Sequence, residues 1–351
     1  MPAISQLLAD FQELRQNDPT IRAVDAAARL SVSEGELVEA RSAGDEVARL
    51  SLRGSDFATL IEDLMAVGRV MTLTRNDAAV HETKGPVSDV SFSGAMGQSV
   101  GAIDLRMFLR HWHVAYHISE ETKSGLRHSF QIFGRQGKAI LKIYAMDDTD
   151  MDAWNAVLAR HGDPSDANVS FSPAEGPAAE KADDEIDQDL LRQRWQAIEH
   201  SHEFFMILEE VGASRQQALR LAGDDLAQKV PPANITSLLT GASEQEISIM
   251  CFVGNPGCIQ IYAGQVERIV EMGPWLNILD PAFNLHLRLD KVANAWLVRK
   301  PTKARGLITS IELFDEDSTM VCQFFGSRPP QGTENPAWRA LANGLIAETS
   351  A

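Results

Sequence analysis

The sequence predicts an α+β protein built by tandem duplication, each half an antiparallel β-sheet with flanking helices. Three observations carry this. The chain has 351 residues, beyond the usual size of one core. Four stretches of its first half recur in the same order in the second, and a segment rich in Pro, Ser, Ala and acids lies between them. The halves are expected at residues 1–161 and 186–351, joined by a linker at 162–185 that lacks the apolar content to form a core.

The first match sets IRAVDAAARLSVSEGELVEAR (21–41) against ASRQQALRLAGDDLAQKV (213–230), where AARL and ALRL mark short helices that precede a small-residue break. RNDAAVHETKG (75–85) follows, matching GNPGCIQIYAG (254–264) at an offset of 179 from Arg75 to Gly254. Asp104-Leu105-Arg106 faces Asn284-Leu285-His286 at an offset of 180. SFQIFGRQGKAILKIYA (129–145) faces SIELFDEDSTMVCQFFG (310–326) at 181. One such match arises by chance; an ordered set with a nearly constant offset argues for duplication.

Within each half a helical entry comes first. VMTLT, SVGAIDLRM, SFQIFG and AILKIYA then have β-branched or alternating character, with Gly-containing turns such as FGRQGKA. Hairpin spacing favours antiparallel pairing. MDAWNAVLARHG and PAWRALANGLIAET read as closing helices.

Composition is ordinarily globular, 44% apolar and 23% charged. The net charge of −17 opposes attraction to nucleic acid or an anionic membrane surface. An anionic ligand would need local cations and a buried pocket. The three cysteines, Cys251, Cys258 and Cys322, form no CxxC pair, and an odd count fits a reducing compartment. The first twenty residues lack the pattern of a signal peptide, and no apolar run approaches the roughly 18 to 20 residues of a membrane span. A cytoplasmic protein without stable membrane insertion is expected.

In DLLRQRWQAIEHSHEFFMILEEVG (189–212), Leu191, Trp195, Ile198, His202 and Phe205 fall at helical spacing, which predicts one continuous apolar face. His202 then lies in that stripe, and His200, about 200° around the helix, points to solvent. Such a histidine is either packed in the core or presented to a metal in an apolar cleft, as haem iron would need. Spacing alone does not choose.

WQAIEHSHEFF followed by SRQQALRLAG resembles the ligand helix and the next helix of the HemS/HmuS/ChuS haem proteins. RNDAAVHETKG, IDLRMFLRHW, FVGNPGCIQIYAG, LDPAFNLHL, VRKPT and TSIELFD extend the resemblance over nearly the whole chain outside the linker. It implies a duplicated protein that holds haem b in a cleft between its halves. His202 takes the place of the proximal iron ligand and Arg106 that of a distal arginine. Arg215, Lys300, Gln323 and Arg328 take the places of contacts to the propionates and cleft rim. The chain departs from the family pattern at His200, where Asp is frequent, and at Phe325, where some members carry Tyr.

Taken without the family, Arg106 reads as half of a surface pair with Asp104, and Lys300 and Arg328 as solvated loop cations. Arg215, near a helix start, would gain from an anion beside it. His81 reads as structural, and His111, His113 and His117 as scattered polar positions. No GxSxG, Walker, GxGxxG or HExxH motif competes.

The resemblance implies a cytoplasmic carrier that sequesters imported haem and delivers it for iron release. The partners it implies are a haem oxygenase or the cytoplasmic side of a haem ABC importer. An alternative is a haem-degrading, oxygenase-like enzyme in which Arg106 steers bound oxygen. A third is a haem-responsive interaction module whose sheets dock a partner.

Overall fold

The computed structural model describes residues 4–122, 125–162, 169–173, 176, 179–328 and 332–347. In chain order the first elements are α1 (Ile4–Asn17), α2 (Ala23–Arg29), α3 (Glu34–Arg41), β1 (Val47–Arg49) and α4 (Asp56–Asp63). They lead into β2 (Gly68–Arg75), β3 (Ala79–Pro86), β4 (Ser91–Ser93), β5 (Met96–Ser99) and β6 (Asp104–Phe108). Next come β7 (Trp112–Thr122), β8 (Gly125–Gly134), β9 (Ala139–Thr149) and α5 (Met151–His161).

The plan then repeats with α6 (Gln188–Gln196), α7 (Phe204–Val211), α8 (Arg215–Leu221), β10 (Ala227–Val230) and α9 (Asn234–Glu244). It continues through β11 (Ile249–Asn255), β12 (Cys258–Gly264), β13 (Ile269–Met272), β14 (Trp275–Leu279) and β15 (Phe283–Arg288). It closes with β16 (Asn294–Thr302), β17 (Gly306–Phe314), β18 (Met320–Gly326) and α10 (Pro336–Ala347). The strands form two nine-stranded antiparallel sheets, so the predicted α+β class and duplication hold.

Two compact units divide the chain. One contains residues 1–75, 82–175 and 255–260, the other 76–81, 176–254 and 261–351. In the first, five strands run in the order β1-β7-β8-β9-β2 and three in the order β6-β5-β4. In the second, β10-β16-β17-β18-β11 and β15-β14-β13 repeat that plan.

One turn shows the duplication atom by atom. Asn76 donates from Nδ2 to the carbonyls of Gly254 and Val321, and its Oδ1 accepts from the amides of Ala78 and Ala79. In the other unit Asn255 donates to the carbonyls of Arg75 and Ile140 and accepts from Gly257 and Cys258. A side-chain amide satisfies four backbone groups in each copy, which explains why the RNDAAV and GNPGCI stretches align.

Each five-stranded sheet buries both faces. In the second unit, Ile311, Leu313, Cys251, Cys322 and Phe324 pack with Leu238 of α9 and Trp338 of α10. On the opposite face Trp296, Val298 and Phe314 pack with Leu191 and Trp195 of α6 and Phe204 of α7. In the first unit Phe130 and Ile132 pack with Phe57 of α4 and Trp154 of α5, and Val114, Tyr116 and Phe133 pack with Val38 of α3. The closing helices play one role: Trp154 donates to His117 and Trp338 to the carbonyl of Thr309. Burial of each such ring contributes roughly 1.5–3 kcal/mol.

Several sequence expectations change. By position, α3 corresponds to α8: Ser33 and Ser214 both cap, accepting from the amides of Glu36 and Gln217. The AARL of α2 therefore does not match the ALRL of α8; both runs are short Ala/Leu/Arg helices that arise from composition. The 162–185 segment is not uniformly apart from a core, since Phe171 packs against Val38 and Phe133 in the first unit. Residues 163–168, 174–175 and 177–178 of that segment, and 348–349 at the end of the last predicted helix, lie outside the described residues. Among the described residues no helix is long and apolar enough to cross a membrane. The cysteines are free and buried, with Cys251 Sγ 3.9 Å from Cys322 Sγ, in keeping with their reading as small apolar residues.

Candidate functional site

The segment predicted as one long helix is broken. Asp187 caps α6 by accepting from the amide of Leu190 at 2.9 Å, and Leu191, Trp195 and Ile198 are buried as the stripe requires. The helix then stops at Gln196. Trp195 Nε1 donates to the carbonyl of Arg299 at 3.0 Å, and the carbonyls of Ile198 and Glu199 accept from the amides of Lys303 and Ala304. The chain here pairs with the β16–β17 turn instead of coiling. A single 3-10 turn, Ser201–Glu203, precedes α7.

His202 therefore stands in a short turn, exposed, and the buried aromatic behind it is Phe204, while Phe205 is 61% exposed. His200 does not point away: its ring stacks on that of His202, centroids 5.3 Å apart and planes 8° from parallel. Glu203 fixes the pair, its carboxylate accepting from the amides of Glu199 and His200 at 3.1 and 3.2 Å.

Both imidazoles line a cavity of about 240 Å³, together with Glu199, Ser201, Thr302, Arg305, Ile308 and Arg328. Arg328 is the informative member. Its Nε and Nη1 are buried without a hydrogen-bond partner. Burial lowers its pKa, and the neighbouring Arg305 guanidinium lowers it further. Two cations on one cavity wall, one of them with two buried and unsatisfied nitrogens, suit an anionic guest.

A second cluster occupies the same sheet. Trp296, Val298, Lys300 and Thr302 alternate onto one face of β16, and the register sets Lys300 opposite Ile308 of β17 and Gln323 of β18 opposite Glu312. Glu312 is fully buried. Arg215 reaches it as a fork, Nε to Oε2 at 2.7 Å and Nη2 to Oε1 at 2.8 Å. Lys300 Nζ donates to Oε1 at 3.0 Å and the Ser310 hydroxyl to the same oxygen at 3.1 Å. Lys300 Nζ also lies 4.9 Å from the Phe204 ring centroid and 5.9 Å from that of Phe325.

Burial pulls the Lys300 pKa down to about 8 against the upward effect of Glu312. Glu312 is held far below the carboxylate range, because Arg215 and Lys300 outweigh its burial. Next to Gln323, the rings of Phe252 and Phe325 meet at 5.1 Å, and Met250 pairs with Phe325 across the strands. These four side chains are half-buried, an amphipathic platform of the kind a flat macrocycle can cover.

The expected site residues thus fall into groups. His202 and Arg328 share a cavity; Arg215, Lys300 and Gln323 gather around Glu312. Arg106 lies on β6 of the first unit, where it pairs with Asp104 and donates to the carbonyl of Leu105. That is the surface-pair reading of the residue, although burial still raises the Asp104 pKa. Sequence reading does not single out Glu312 or Arg305. The signal for Glu312 was present: a lone charge in the apolar strand SIELF, where an unpaired carboxylate is costly. His81 is fully buried against Phe283, rings 4.9 Å apart, with its pKa driven down to about 3 by burial, consistent with a structural role.

A family model described as the haemin-degrading HemS.ChuX domain matches residues 31–161 and again 212–345. The hemin transport protein HmuS of Yersinia pestis is 37% identical over 344 residues, covering 97% of this chain and 98% of that one. HemS of Yersinia enterocolitica is 36% identical, covering 94% of each chain. Among solved structures, the haem-bound form of PhuS, a heme-binding protein from Pseudomonas aeruginosa, superposes with a TM-score of 0.92 at 41% identity, covering 97% of this chain and 98% of its own. ChuS, a heme-degrading enzyme of Escherichia coli O157:H7, gives 0.90 at 36% identity, covering 98% and 99%.

Proposed function

The chain belongs to the haemin-degrading HemS.ChuX domain family, and from that premise we propose that it is a cytoplasmic haem-binding protein that sequesters imported haem b and delivers it for iron release. The observation that carries this reading is the cavity wall on which an exposed imidazole, His202, stands with the half-buried Arg328, whose Nε and Nη1 have no hydrogen-bond partner. A neutral imidazole suits haem iron, and a stranded cation suits a porphyrin carboxylate. Arg328 and Arg305 on the same wall supply the local positive charge that a chain of net charge −17 needs to hold a dianion.

In this reading His202 is the proximal ligand. Arg328, Arg215, Lys300 and Gln323 receive the propionates and the rim, and Arg106 serves the distal side. The exposure of His202 fits a cargo that must leave. The receiving partner is a haem oxygenase, and the donor the cytoplasmic side of a haem ABC importer.

The test is a spectroscopic haem titration of the wild type and of His202→Ala and His200→Ala. His202→Ala is expected to shift the Soret band and weaken binding by about tenfold or more, roughly 1.4 kcal/mol. His200→Ala should leave the band in place. An unaltered spectrum and affinity in His202→Ala rejects it as the principal ligand.

A second reading, haem degradation, is favoured by the likeness to ChuS, described as a heme oxygenase in a structure of TM-score 0.86. Haem-loaded protein given ascorbate with catalase present separates the two. Loss of the Soret band with a defined tetrapyrrole and released iron supports the enzyme. Retention, with transfer to an acceptor protein, supports the carrier.

A further inference from the structure

The two cations gathered on Glu312 are already engaged. Arg215 spends Nε and Nη2 on Glu312, and Lys300 spends its ammonium on the same carboxylate. Lys300 is only 3% exposed at its side chain and Glu312 not at all, whereas Arg215 keeps 28%.

The first unit has its own version of this triad with the anion on the other element. There the carboxylate is Glu34, the first residue of α3, and it is held by Lys142 at 2.6 Å and Arg75 at 2.5 Å. At the offset of 181 seen between the β8 and β17 stretches, Glu34 corresponds to Arg215 and Gln131 to Glu312. One copy places the anion on the helix and the cations on the sheet. The other places a cation on the helix and the anion on the sheet, in register with the half-exposed Gln323.

We propose that Glu312 is an internal competitor for the ligand's carboxylates: it occupies the Nε/Nη2 edge of Arg215 and the Lys300 ammonium, so that haem must share these cations with Glu312 or draw them off it. This rests on the haem-binding reading above. A carboxylate docking on Arg215 or Lys300 leaves Glu312 buried and short of partners, and a buried charge stripped of its partner is strongly disfavoured. The cations therefore yield less to the ligand than free ones would. Affinity is held down and release is kept fast, which suits a protein that hands its cargo on.

The experiment is a haem titration and dissociation measurement on full-length wild type and Glu312→Gln. Gln keeps the shape of the side chain and one of its two accepting oxygens, and it removes the charge that holds Arg215 and Lys300. The expected result is haem binding at least about tenfold tighter, with the gain in slower dissociation, and a larger haem-induced rise in melting temperature. Equal or weaker binding by folded Glu312→Gln overturns the proposal.

Should the variant not fold, wild type suffices, by comparing haem with its dimethyl ester. A loss of less than about a hundredfold supports competition; a loss beyond that shows the cations fully available and overturns it. Absence of any Soret shift with wild type defeats the haem-binding reading itself, a distinct outcome.

Discussion

Arg328 carries an uncompensated cost, because Nε and Nη1 are out of water with nothing to bond. Stability and binding should therefore move in opposite directions at this residue. Arg328→Met is expected to raise the stability of the ligand-free protein by about 1 kcal/mol while weakening haem binding by about tenfold or more. Thermal melts and titrations of the one variant check both, and a destabilised variant with unchanged affinity would contradict the role. Lys300 adds a pH dependence. With its pKa near 8, it loses charge as pH rises from 7 to 9, so haem affinity should fall over that interval. Lys300→Met should bind weakly at pH 7 and lack the fall; a parallel fall in the variant assigns the effect elsewhere. Site residues of this kind are legible in the sequence only in part. VRKPT and GSRPP place Lys300 and Arg328 beside turns, but burial decides their chemistry, and burial follows from strand register. Glu312 shows the same limit, since its partner Arg215 is 97 residues away.

At the scale of elements, the break between α6 and α7 is what puts His202 on a cavity wall. Apolar spacing over 191–205 favours one helix, and the prediction of a continuous stripe follows. Helix propensity is weak beside tertiary pairing, and two amides of the β16–β17 turn satisfy the carbonyls of Ile198 and Glu199. The buried half of the stripe was legible; its exposed half was not, because pairing with a distant turn leaves no local mark. Glu203 then works as a clasp on the His200–His202 turn. Glu203→Ala should cost about 0.5–2 kcal/mol, the range for a lost cap, and weaken haem binding several-fold. Glu203→Gln, which keeps one of the two accepting oxygens, should recover part of both. An Ala variant with wild-type melting and wild-type affinity would show that the turn holds itself.

At the scale of the molecule, the duplicated plan was readable from three nearly constant offsets, and the Asn76 and Asn255 turns show the physical basis of one of them. Helix matches were less reliable, because short Ala/Leu/Arg runs recur from composition alone, whereas a capping serine or a turn asparagine is tied to a backbone geometry. The fold also carries buried neutral histidines. Burial lowers His81 from 6.5 to about 3, and burial with the nearby His128 lowers His117 from 6.5 to about 4. Both folded values lie below the unfolded one, so their contribution is complete above pH 6.5. It is lost on acidification, at up to about 1.4 kcal/mol per pH unit for each residue down to its folded pKa. Chemical denaturation between pH 7 and 4.5 should show this decline, and His81→Leu should flatten it; an identical slope would remove His81 from the cause. The most direct test of the functional reading is a crystal structure of the haem-loaded protein. Iron bound to His202, with a propionate on Arg328, is the predicted result. Iron bound to His200 or to another residue, with Arg328 still unpartnered, would contradict it.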